Sequence, residues 1–108
     1  MASVTLDGAT IRDAASFHAA SRAAFGLSDV YGDTMDSWVD ALSYLRDDEG
    51  MTKIRLQPNE LLQIVIDNAN ALRAAAPELL AEIEYCVGGI NERYEDYGEK
   101  PALQLVLR

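Results

Sequence analysis

The stretch LLQIVID, Leu61–Asp67, constrains the fold of this chain more than any other. A short, nearly continuous apolar run rich in β-branched residues, preceded by the turn signal QPNE, reads as a buried strand. Two placements fit it. It pairs as a hairpin with MTKIRL, Met51–Leu56, whose alternation also suggests a strand, or it is the central strand of a parallel sheet. Val4–Leu6 reads as a short first strand ended by the turn pair Asp7-Gly8, and ALQLVLR closes the chain as a last strand. Helical patterns separate these runs. This alternation points to an α/β fold with a parallel sheet, in one domain spanning residues 1–108.

The helical segments carry their own boundaries. In IRDAASFHAASRAAFG, Asp13 is placed to cap the N-terminus and Gly26 to stop the C-terminus. NANALRAAAP predicts a short helix ended by Pro77, which also suits the first position of the next helix. That helix, PELLAEIEYCVGGINERYEDYG, repeats Leu80, Ile83, Val87, Ile90 and Tyr94 at spacings of three and four. Gly88-Gly89 weakens its middle by about 1 kcal/mol per glycine and marks a point where it could kink or break. RDDEG, at 46–50, reads as a polar loop.

A further helix is expected from about Thr34 to Leu45. Met35, Trp38, Val39 and Leu42 form its apolar stripe, with Trp38 at the core edge. At about 100° per residue, Asp36, Asp40 and Asp33 gather on the side away from that stripe. Asp33 or Thr34 would cap the first turn, and the early acids gain from the positive end of the helix dipole. Like charges at this spacing still repel by roughly 0.2–0.5 kcal/mol per pair. The stretch DVYGDTMDSWVDAL contains four acids and no base. A merely solubilising face usually carries balancing lysines, so this ridge suggests a basic partner.

Charge excludes other partners. The net charge is −9, from 18 acids and 9 bases, which disfavours direct nucleic-acid binding and an anionic membrane surface. With 49% hydrophobic residues, the chain can bury a core and is not an acidic disordered tail. The lone Cys86 reads as a small buried hydrophobe, and it fits a reducing compartment. No basic, apolar leader opens the sequence and no apolar run is long enough to span a bilayer, so the expected location is the cytoplasm. Catalytic signals are poor. His18 is the single histidine, beside Phe17 on an alanine-rich helix, and reads as structural. No zinc, EF-hand, Walker or dinucleotide pattern is present, so no enzyme activity, metal or cofactor is expected.

The segment TIRDAASFHAASRAAFGLSDVYGDTMDSWVDAL resembles the barstar family, intracellular inhibitors of the ribonuclease barnase. The resemblance rests on an apolar-His pair (Phe17-His18), a tyrosine-glycine loop (Tyr31-Gly32) and a following D-x-x-x-D-x-L helix containing Asp36, Asp40 and Leu42. It runs without gaps from Val4 to about Leu45 and resumes in the long helix and final strand. It implies a small three-stranded parallel sheet packed with helices; the alternation of Met51–Leu56 adds a candidate extra strand. It also implies a protein that plugs the basic active site of a secreted-type ribonuclease or related toxin. Mapped by motif, Asp40 stands in for the RNA phosphate, with Asp36 as its ridge partner. Val30, Gly32, Thr34, Ser37 and Ser43 match loop and helix contact positions, and Glu92 matches a further acidic contact. The family tends to place aromatics where this chain has Val30, Val39 and Leu45. That departure motivates a second reading, a barstar-like interaction or immunity module against a different, non-barnase toxin or partner.

Overall fold

The computed structural model describes residues 2–47 and 50–108. Its element order is β1 (Ala2–Asp7), a 3-10 turn (Gly8–Thr10), α1 (Ala14–Phe25), α2 (Met35–Leu42), β2 (Leu62–Asp67), α3 (Ala69–Ala75), α4 (Pro77–Asp96) and β3 (Leu103–Leu107). The LQIVID run is the middle strand of a sheet ordered β1-β2-β3 and is parallel to both neighbours. Val4 pairs with Ile64, which pairs with Leu105. This resolves the choice left open by the sequence in favour of the central parallel strand.

Met51–Leu56 does not form a strand. Its backbone groups are taken by other partners: Ser28 donates to the Met51 carbonyl, Lys53 to the Phe25 carbonyl and Leu56 to the Leu45 carbonyl. The Thr52 hydroxyl donates to the Ile54 carbonyl at 2.9 Å and accepts from the Ile54 N–H. Such side-chain bonds offer the backbone an alternative to a ladder. The segment therefore serves as a strap across the ends of α1 and α2 rather than an extra strand.

Both crossovers step in the same direction across the sheet. Right-handed connections then place all their helices on one face. Burial agrees: Val4, Leu6, Leu62, Ile64, Ile66 and Leu103 are buried, whereas Ser3, Thr5 and Asp7 point outward and are exposed. On that outer face Gln63 bonds to Gln104 and Arg108 pairs with Asp67 at 2.8 Å, and Val65 is covered.

The predicted helix signals operate as expected at most ends. Asp13 caps α1 and forms a reciprocal pair with Ser16, and Gly26 closes the helix at φ 62°. Pro77 opens α4, whose buried residues are Leu80, Ile83, Val87, Ile90 and Tyr94. The helix runs through Gly88-Gly89 without a break. A Cβ at either glycine would meet nothing within 4 Å, so neither serves a close approach. Burial of the flanking stripe outweighs the propensity cost, at about 1.5–3 kcal/mol for each large apolar side chain.

Two expectations for α2 need correction. The helix ends at Leu42, not Leu45, because the Tyr94 hydroxyl of α4 donates to the Leu42 carbonyl and accepts from the Leu45 N–H, each at 2.9 Å. This side chain takes over the bonds that another turn would have made. Trp38 lies at the core's centre rather than its edge. It is fully buried, with ring centroids 5.4 Å from Phe17 and 6.4 Å from Phe25. The loop expected at 46–50 includes Asp48 and Glu49, which lie outside the described residues. Within it, the side chain of Arg46 is largely covered: it donates to Glu99, to the Lys100 and Glu60 carbonyls, and stacks over Tyr94.

Candidate partner-binding face

The loop between α1 and α2 is held by one arginine. Arg22 reaches out from the last turn of α1, stacks over the Tyr31 ring and donates to the carbonyls of Ser28 and Tyr31. It also pairs with Asp33 at 2.8 Å. Asp33 sits in the left-handed region at φ 54°, uncommon for a non-glycine residue but best tolerated by Asp and Asn. Gly32 approaches α2 closely, and a Cβ there would lie 2.8 Å from the Ser37 hydroxyl, which would have to turn aside. Thr34, not Asp33, is the N-cap, and its hydroxyl accepts from the Ser37 N–H at 3.1 Å.

Beneath this loop lies a buried polar pair. The His18 Nδ1 and the Tyr31 hydroxyl are hydrogen-bonded. Burial lowers the pKa of His18 below its ordinary value of 6.5, with Asp33 and Glu82 pulling the other way. Burial pushes the Tyr31 phenol up, reinforced by Asp33 and offset by Arg22. An unfolded chain therefore binds the histidine proton before the folded one does. His18 contributes stability that is complete above about pH 6.5 and is lost as pH falls below that value toward the folded-state pKa. The lowered carboxyls of Asp7 and Asp13 act only below their ordinary value of 3.8, so they leave this window clear. Thermal unfolding between pH 7.5 and 5 is expected to show a falling Tm for the wild type and a flatter profile for His18→Gln. Equal slopes would rule out His18 as the source.

The acidic ridge differs from the sequence expectation. Asp33, Asp36 and Asp40 are all exposed, as predicted. Yet two of them are neutralised by arginines from other elements, Asp33 by Arg22 and Asp40 by Arg93 of α4 at 3.0 Å. Asp36 makes no ion pair among the described residues. It lies in the first turn of α2, where the helix dipole favours an anion. The half-buried Cys86 of α4 has its thiol pushed up by burial, with Glu82 and Asp36 adding to the effect.

The remaining predicted contacts divide. Val30 is 78% exposed at the loop tip. Gly32, Thr34 and Ser37 build the turn that leads into α2, and the Ser43 hydroxyl donates to the Val39 carbonyl while accepting from Arg93. Glu92 is exposed on α4, but it does not line the hollow of about 460 Å³ that opens beside Asp40 and Ser43. Arg93, Asp96, Tyr97, Glu99 and Tyr44 do. Sequence reasoning missed Arg93, Tyr44 and Tyr97. A helical projection of α4 carried the needed signal: Asp96 and Tyr97 lie three and four residues beyond Arg93, on the same side, whereas Glu92 is about 100° away. Val39 is half-buried and Leu45 is 1% exposed, so neither offers an aromatic-like contact to a partner.

Among the described residues, no cluster of three or more His, Cys, Asp or Glu side chains could hold a metal ion, and no helix is long and apolar enough to cross a membrane. A three-stranded parallel sheet with its helices on one face, presenting a short acidic helix and a braced loop, defines a small α/β domain. The model of the family described as Barstar (barnase inhibitor) matches residues 1–106, and the chain belongs to that family. The match extends the resemblance through the central region that the sequence motifs left unaligned. No curated protein matches the chain significantly. The family is one of inhibitors, which supports a role of the barnase-inhibitor type in general.

Proposed function

We propose that this chain inhibits a basic ribonuclease of the barnase type in the cytoplasm, acting as one barstar-like domain of residues 1–108. The observation that carries this reading is the exposure of Asp36 and Asp40 on a helix whose entry loop is braced by Arg22, Tyr31 and the Thr34 cap. A carboxylate mimics phosphate because an arginine fork pairs with either. In the cleft of a ribonuclease, Asp40 would occupy the place of the RNA phosphate, with Asp36 beside it. Gly32, Thr34, Ser37 and Ser43 would frame the contact, with Val30 at one rim and Glu92 at a greater distance. Bracing matters because each rotamer-rich side chain ordered on binding costs about 0.5–1.5 kcal/mol.

Residual RNA cleavage by a panel of barnase-type ribonucleases, mixed with the purified chain, tests the proposal. Inhibition of at least one member is expected, with an association rate that falls as salt rises, since exposed charges are screened beyond about 8–10 Å at 0.1–0.15 M. A rate insensitive to salt would refute electrostatic steering.

A second reading is favoured by the burial of Leu45 and the partial burial of Val39. On this reading the same face serves as an immunity or interaction module for a different, non-barnase toxin. No inhibition across the ribonuclease panel, together with neutralisation of another basic toxin, would establish it.

A further inference from the structure

Arg93 sits on the residue that the proposed function assigns to the partner. Its Nη1 donates to Asp40 Oδ1 at 3.0 Å and to the Ser43 Oγ at 3.3 Å. In the free protein the centre of the ridge is therefore neutral. A partner that brings an arginine or lysine to Asp40 meets a cation already in place. Two cations on one carboxylate repel, and the repulsion grows as the interface excludes water.

The two arginines of the ridge are held differently. Arg22 is fixed by Asp33, two backbone carbonyls and the Tyr31 ring. The side-chain hydrogen bonds of Arg93 go to Asp40 and Ser43 alone among the described residues, and both members of the ion pair are about half exposed, at 49% and 57%. An exposed pair of this kind is weak and exchangeable. An alternative seat adjoins it. Arg93 also lines the hollow of about 460 Å³, whose rim includes Asp96 and Tyr97. Asp96 is three residues along the same helix, within reach of Arg93, and makes no ion pair among the described residues.

We propose that Arg93 is a displaceable internal counter-ion. It covers Asp40 and Ser43 in the free protein and turns toward Asp96 in the hollow when a cationic side chain of the partner takes Asp40. The inference rests on the ribonuclease-inhibitor reading for the identity of the partner. Its consequence is selectivity. A planar guanidinium that pairs with Asp40 through two bonds displaces Arg93 more readily than a single ammonium does. Arg93 is thus a specificity-determining residue for arginine-bearing clefts.

The test compares wild type, Arg93→Gln, Asp40→Ala and the double variant, with Arg73→Gln on α3 as a control for net charge. Against a ribonuclease that the wild type inhibits, Arg93→Gln is expected to bind about fivefold tighter. The gain should disappear in the Asp40→Ala background and be absent in Arg73→Gln. Equal or weaker binding by Arg93→Gln, or the same gain in Arg73→Gln, overturns the proposal. A second measurement needs no ribonuclease: an oligo-arginine peptide is titrated while the 13C signal of the Asp40 carboxylate is followed. Half-saturation at a lower peptide concentration in Arg93→Gln than in wild type supports the counter-ion, and identical titrations overturn it. If the titrations differ while the wild type inhibits no ribonuclease, the proposed function falls and the role of Arg93 stands.

Discussion

Asp40→Ala is expected to weaken inhibition of the target ribonuclease by roughly thirtyfold to a few thousandfold. Removing one member of a desolvated, hydrogen-bonded charge pair costs about 2–5 kcal/mol, at about 1.4 kcal/mol per factor of ten. Much of that cost lies in the partner's stranded cation rather than in lost attraction. The variant also releases Arg93 from its carboxylate, leaving it to Ser43 or to Asp96. Asp36→Ala should weaken inhibition as well, since Asp36 enters the interface with no internal pair to break. The two sites lie one helical turn apart, so their effects should not add. Stability behaves differently. Losing Asp36 removes a favourable dipole contact of about 0.3–1 kcal/mol, while alanine's helix propensity and relief of the Asp36–Asp40 repulsion offset much of it. Inhibition constants and Tm measured on the same preparations separate the two effects. Full inhibition retained by Asp40→Ala, with an unchanged Tm, would remove Asp40 from the binding face.

Trp38→Ala is expected to destabilise the fold by about 3–5 kcal/mol, the range for truncating a buried large aromatic. For a domain of this size that corresponds to a Tm lowered by about 12 °C or more. Trp38 is fully buried where α1 and α2 meet, against Phe17 and Phe25. The indole N–H has no hydrogen-bond partner among the described residues, so the residue contributes through packing and its loss strands none of them. Urea and thermal unfolding measure the loss, and Val39→Ala, half-buried on the same helix, should cost much less. A loss below about 1 kcal/mol at Trp38 would mean that α2 is not anchored through this ring. Because Asp36 and Asp40 flank Trp38 on α2, inhibition should fail at the temperature where the variant unfolds and not before.

Several features were legible in the chain because their causes are local. Asp13, Gly26, Thr34 and Pro77 act on backbone groups within about four residues, so their types and positions are sufficient. The α4 stripe from Leu80 to Tyr94 repeats often enough to override Gly88-Gly89. LLQIVID announced a buried strand, and the residues from Phe17 to Leu42 pointed to the family. Met51–Leu56 was misread because alternation is a short-range pattern, and ladder formation depends on whether a neighbouring strand is free to pair. Here β1 and β3 already occupy both edges of β2.

The sequence by itself determined most of the helix ends, the C-terminus of α2 excepted, together with the core stripes, the parallel α/β class and the acidic side of α2. Tertiary structure alone decided what that acidic side is. Arg93 reaches Asp40 across 53 residues, and the Tyr94 hydroxyl ends α2 from 52 residues away. Arg22 neutralises Asp33 from the preceding helix. A stretch without a base in sequence thus has bases in space. The reason is the range of the forces: capping and periodicity act within a turn or two, whereas an ion pair between packed helices depends on the register at which their apolar stripes meet.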